Sequence, residues 1–192
     1  MARWQPGATQ RLVVAAVDLF TEQGYDATTV AQIAERAGVT KSTFFRHFSD
    51  KRELLVAGQE TLSTLLAEGI AEAPAPAGPL EAVAAGLERA SGAMGPANRE
   101  LGPRLKAAVA ASTELQERDA LKSVGMAAAM TAALIGRGVP EPTAQLAAEL
   151  GVLAFKRGYA RWSESDREDV EGLAPHALAA LRDLRAATAM LD

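Results

Sequence analysis

Residues 28–51 read TTVAQIAERAGVTKSTFFRHFSDK, and the spacing of polar and apolar positions in this stretch decides the architecture. Thr29 with Gln32 three residues on is a capping-box pattern, in which the hydroxyl and the amide side chain each satisfy a backbone donor left free at a helix start. Val30, Ile33, Ala34 and Ala37 give that helix an inward face, and Gly38 ends it. After the Gly38-Val39 turn, Thr40 caps a second short helix running to about Phe48. Phe44 and Phe48 fall one turn apart on its inward side, while Lys41, Ser42, Thr43, Arg46 and His47 supply the other side. Two short helices joined by a glycine turn, the second polar and basic on its outer face, have the geometry of a helix-turn-helix. The second helix then lies in a DNA major groove and the first crosses the backbone.

Upstream, Leu12, Ala15, Ala16, Leu19 and Phe20 form one apolar helical stripe that stops at Gly24. Downstream, Asp50 with Glu53 repeats the capping pattern and is expected to start a longer helix through Leu54, Leu55, Leu62, Leu65, Leu66 and Ile70. The run PAPAGP at 74–79 breaks it. Further helices are expected over 80–91, 97–111, 113–137, 141–163 and 167–190. Strand-like alternation is missing while Ala, Leu, Glu and Arg dominate, so the fold class is all-α. The expected division is a three-helix unit over 1–52 and a larger helical body over 53–192.

Composition narrows the function classes. The 192 residues are 48% apolar, enough for a real core, and they include no cysteine and two histidines, His47 and His176. Disulfide scaffolds, cysteine-ligated metals and thiol nucleophiles are excluded, and no metal or other cofactor is expected. No apolar run reaches the ~20 residues of a membrane span, and a soluble, cytoplasmic protein is the expectation. The net charge of −4 is uneven: +2 up to Arg52 and −6 beyond it. A mildly basic head on an acidic body suits a protein whose head alone approaches a polyanion, although a solvated surface fluctuates this much by chance.

From Arg11 to Leu55 the chain resembles the DNA-binding domain of the TetR family of transcriptional regulators, in helix lengths, spacing and most motif residues; over the rest the likeness lies in helix count and length. The resemblance implies DNA contacts at Thr29, Lys41, Ser42, Thr43, Phe45, His47 and Lys51. Their chemistry agrees: Lys41 suits a phosphate or guanine O6/N7, Thr43 offers a hydroxyl and a methyl, His47 can donate to a phosphate, and Lys51 stands at a helix N-terminus. Thr29 is equally well explained as a cap. The family usually has tyrosine at the position of Phe45, which keeps only the ring. Arg3, Trp4 and Arg11 form a candidate minor-groove arm, or simply a disordered terminus.

The body has room for dimerisation and ligand sensing. Leu146, Leu150 and Leu153, with Leu178, Leu181 and Leu184, make seams on the last two helices. Such seams build a four-helix contact between two subunits, as the resemblance implies, or pack inside one subunit. The segment 126–135 is apolar nearly all round and is expected to be buried on every side. Met126, Met130 and Leu134, with Phe155, Tyr159 and Trp162 on the next helix, are the candidate lining of an effector pocket, tight packing being the other explanation. The leading expectation is a homodimeric repressor that binds a palindromic double-stranded operator and is released by a small, apolar effector. The alternatives are an all-helical small-molecule-binding enzyme, for which no catalytic motif is visible, and an architectural DNA-binding protein without effector.

Overall fold

The structure is a computed structural model that describes residues 7–165 and 172–191, and among these it contains helices and turns with no strand. Its α-helices are α1 (Ala8–Gln23), α2 (Val30–Arg36), α3 (Lys41–His47), α4 (Gln59–Glu72), α5 (Pro79–Gly92), α6 (Pro96–Ala110), α7 (Thr113–Gly136), α8 (Glu141–Glu164) and α9 (Leu173–Thr188). The helix expected to run on from Asp50 is interrupted. Lys51–Val56 is a 3-10 helix, and Gly58 at φ 77° turns the chain before α4 begins. Glycine tolerates that left-handed backbone, so the break is local chemistry that the apolar spacing conceals. Of the helix expected over 167–190, the part at 167–171 lies outside the described residues, as do Arg3 and Trp4.

The chain divides into two compact units. The first runs up to Ala57 and takes in Pro103–Leu121; the second holds Gly58–Gly102 and the chain from Lys122 onward. The cut expected after Arg52 therefore falls inside the first unit, and the second half of α6 with the first half of α7 belongs to that unit too. Its core gathers Leu12, Ala16, Leu19 and Phe20 of α1, Ile33 of α2, Phe44 of α3, Phe48, Leu54, and Ala108 and Leu115 from the α6–α7 elbow. The predicted apolar stripe of α1 is buried throughout. Arg104 of the elbow forms an ion pair with Asp18 of α1.

In the second unit α4 packs on α5, and α5, α8 and α9 pack on one another. Gly158 lets α8 and α9 approach closely: a Cβ there would meet the Ala177 backbone, with its nitrogen at 2.6 Å. Met126, Ala127, Met130 and Leu134 turn one side of α7 into this core. The other side is open, with Val124 65% and Ile135 44% exposed and Ala128 and Ala132 also at the surface. The expectation that 126–135 is buried all round is thus corrected. Alanine and isolated β-branched residues are tolerated on a solvated face, so a nearly uniform apolar run does not fix burial.

Candidate nucleic-acid interface

The helix-turn-helix is built as its sequence dictates. Thr29 caps α2, its hydroxyl accepting from the Gln32 amide at 3.3 Å while Gln32 Oε1 accepts from the Thr29 amide at 2.9 Å. Thr40 does the same for α3, accepting from the Thr43 amide at 3.1 Å. Gly38, at φ 66°, makes the turn between them. Arg11 Nε donates to the Ala37 carbonyl at 3.0 Å, tying α1 to the end of α2. Phe44 is wholly buried, with Phe48 5.8 Å from it between ring centroids.

These contacts hold the outer face of α3 in the open. Lys41, Ser42, Phe45, Arg46 and His47 are all exposed, and among the described residues nothing pairs with Lys41, Ser42 or Arg46. Arg46, on the outer side as its position in the pattern predicts, joins Lys41 as a second uncommitted cation. Other cations nearby are occupied: Arg36 grips Glu22 through both nitrogens, and Arg52 holds Asp50. Thr43 is half-buried, and its hydroxyl lies 3.0 Å from that of Thr40. Phe45 is 55% exposed, with its ring edge-on to Phe44 at 5.3 Å, so a bare apolar surface sits among polar groups.

Lys51 has a second task beyond what its place in the sequence announces. Its ammonium donates to the carbonyls of Tyr25 at 2.7 Å and Thr28 at 3.0 Å, and lies 4.0 Å over the Tyr25 ring. It therefore fixes the loop that leads into the Thr29 cap. The Tyr25 hydroxyl donates in turn to Glu114 at 3.1 Å, in the first turn of α7. Burial, then the Glu114 hydrogen bond and charge, push the Tyr25 phenol well above its usual range. Replacing Lys51 by Met keeps the stem and deletes the ammonium. Expected is a loss of about 1–2 kcal/mol in unfolding free energy, because two carbonyls lose their donor; a denaturant titration checks it.

The comparisons with known proteins bear on this segment first. Residues 12–57 match the family model described as bacterial regulatory proteins, tetR family. The regulator TcmR of Streptomyces glaucescens is 37% identical over 86 residues, which span 41% of this chain and 38% of the relative. Over this segment the chain is similar to the TetR family. The matched part covers well under half of the relative's length, so its own activity stays its own. Over the whole chain the likeness is one of fold. A crystal structure from Mesorhizobium loti assigned to the TetR family aligns at TM-score 0.56 and 19% identity, over 94% of this chain and 96% of that one. Thermus thermophilus FadR, a TetR-family repressor in complex with lauroyl-CoA, aligns at TM-score 0.50 and 21% identity, over 91% of each chain.

The remaining candidates lie in the second unit. Met126, Met130, Leu134, Phe155 and Trp162 are buried in the core of the second unit and Tyr159 packs against it. Met130 fills the space above Gly151, where a Cβ would strike its methyl group. Phe155 and Tyr159 stack at 6.3 Å, and the Tyr159 hydroxyl donates to the Asn98 carbonyl at 2.5 Å. Arg99 caps the end of α8 through the Trp162 and Ser165 carbonyls. A groove of about 410 Å³ lies elsewhere, between Pro79 and Leu80 of α5, Leu146 and Leu150 of α8, and Arg185 and Thr188 of α9. Of the leucine seams, Leu146 is 61% exposed and Leu153 is also exposed, Leu150 and Leu178 are half-buried, and Leu181 and Leu184 sit inside the chain's own core. Among the described residues no helix is long and apolar enough to cross a membrane.

Desolvation lifts the Tyr159 phenol to about 12, so both tyrosines of the chain bind their proton more tightly when folded. A raised folded pKa gives stability that is complete below the unfolded value near ~10 and is lost as pH climbs from there towards the folded value. Phenolate absorbance is therefore expected to stay low in the native protein at pH 10 and to rise together with loss of helical circular dichroism. Free titration of both rings while the helices persist would contradict this burial.

Proposed function

We propose that this chain is a ligand-responsive repressor that binds a near-palindromic operator as a homodimer and lets go when a small, apolar effector binds its body. The observation carrying this reading is the uncovered outer face of α3, with two free cations, a hydroxyl, an imidazole and an aromatic ring on a scaffold locked from behind. In a twofold dimer two such helices enter successive major grooves, roughly 34–36 Å apart or somewhat more. Lys41, Ser42 and Thr43 face base edges and phosphates at the start of α3. Phe45 offers its ring to a sugar or a thymine methyl, and His47 donates to a phosphate. Thr29 and the amides it caps, with Lys51 behind them, receive the backbone where α2 crosses it.

The dimer contact runs along α8 and α9, through Leu146, Leu150 and Leu153 with Leu178 at its edge; Leu181 and Leu184 back this surface from inside. The effector enters the core between Met126, Met130 and Leu134 of α7 and Phe155, Tyr159 and Trp162 of α8, where flexible methionines and small alanines can repack around a guest. An apolar guest shifts the population toward a conformer that misfits DNA, by as much as its affinity for the two conformers differs. The cytoplasm is the compartment this requires.

A fluorescence-anisotropy titration tests the reading, with a duplex taken from directly upstream of the chain's own coding sequence and a shuffled duplex of equal length. Two chains per upstream duplex and at least tenfold preference over the shuffled one are expected, with release by at least one of a set of small, uncharged lipophilic molecules. Equal affinity for both duplexes, unmoved by any lipophilic addition, would favour an architectural protein. No binding to either would end the reading. In the same assay Lys51→Met is expected to weaken both duplexes alike and to lower the salt slope by about one phosphate per chain; an unchanged slope would confine Lys51 to its loop.

A further inference from the structure

His47 stands on the last turn of α3, and its Nδ1 lies 3.3 Å from the hydroxyl of Thr9 in the first turn of α1. Thr9 is no cap of its own helix: that place belongs to Gly7, which offers no side chain. The two residues are held together from beneath. Leu12, one turn along from Thr9, and Phe44, one turn back from His47, are fully buried in one core, and Arg11 pins the same turn of α1 to Ala37. Nδ1 is thus the ring atom turned toward α1, and among the described residues nothing pairs with Nε2.

We propose that Thr9 is a positioning residue for DNA binding, holding the His47 imidazole by Nδ1 so that Nε2–H is presented to a backbone phosphate. The proposal rests on the reading that α3 faces DNA. A phosphate oxygen only accepts, so Nε2 must carry a proton when it touches one. In the neutral ring Nδ1 is then a bare acceptor, and the Thr9 hydroxyl donates to it. In the imidazolium Nδ1–H donates, and the same hydroxyl accepts. A threonine answers both states without moving, which an alkyl group cannot do. The DNA-contacting surface accordingly depends on a residue that acts through His47 and lies 38 positions from it in sequence.

A double-mutant cycle on the full chain tests this, read as affinity for the upstream duplex. Thr9→Val, matched in shape, is expected to weaken binding about three- to tenfold, a coupling of the size seen between contacting residues. Thr9→Ser should restore it. His47→Ala should cost at least as much, and adding Thr9→Val to it should cost nothing more. Independent, additive losses would overturn the proposal, because a residue that merely steadies α1 acts whether or not His47 is present. Without DNA, the nitrogen-15 imidazole signals of His47, told from those of His176 by His176→Gln, should shift in Thr9→Val and return in Thr9→Ser; signals indifferent to Thr9 would likewise overturn it. Failure of the wild-type chain to bind any duplex strikes the DNA reading instead, and is seen separately from an additive cycle.

Discussion

Leu146→Arg is expected to give a folded monomer whose affinity for a full operator falls by about 10² to 10⁴, the span that linking two binding modules commonly supplies. Leu146 is 61% exposed on α8, so within one chain the substitution disturbs little and the helical signal should be unchanged. Between two chains it places a guanidinium, with no partner provided, where apolar surface is to be buried, and an unpaired buried charge is expensive. Each subunit then binds its half-site alone. Sedimentation and anisotropy read the two effects together, and a dimer that still binds tightly would remove Leu146 from the interface. Leu181→Arg makes the contrast: at 6% exposure within the chain's own core it should unfold the second unit, so a monomer from that variant says nothing about dimerisation.

Phe44→Ala should produce the largest loss of stability, about 3–5 kcal/mol, as truncation of a buried aromatic does. Phe44 is fully buried beneath α3 and touches the rings of Phe45 and Phe48. A seven-residue helix has no stability of its own, so α3 exists because this side chain anchors it. Against a total of 5–15 kcal/mol for a typical domain, such a loss leaves the first unit marginal. Expected are a melting transition lower by on the order of 10–20 °C and loss of DNA binding even below it. Phe45→Ala, one residue on and exposed, should leave the melt nearly unchanged. Equal melts for the two variants would mean that the burial of Phe44 is misplaced.

What the amino acids disclosed beforehand follows from how local each cause is. Thr29 with Gln32, Gly38 and Thr40 act within four residues of one another, so both caps and the turn were readable, and the stripe of α1 needed only its period. The break at Gly58 was hidden because Leu54, Leu55 and Leu62 keep a helical spacing across it. Packing between distant elements was less legible. Lys51 reads as a cation at a helix start, and only the folded loop shows that the Tyr25 and Thr28 carbonyls engage it. Leu181 and Leu146 belong to equivalent-looking seams, yet one is enclosed by α5 and α8 and the other is open. The aromatic side of α8 looked equally like a cavity wall or a packed core. Met130 lies above Gly151 on that side, so a guest there has to displace its methyl group.

The α6–α7 elbow alters how this molecule can be dismantled and recombined. Because Ala108 and Leu115 complete the core beneath α1 and α3, the compact unit that carries the helix-turn-helix is not one contiguous stretch of gene. A chimaera joining the first 57 residues to a different helical body would keep every exposed side chain of α3 yet inherit a foreign elbow, with voids or clashes where Ala108 and Leu115 belong and no Arg104 for Asp18. Grafting 103–121 along with it should rescue such a hybrid, making the elbow a part that has to travel with the helix-turn-helix it supports.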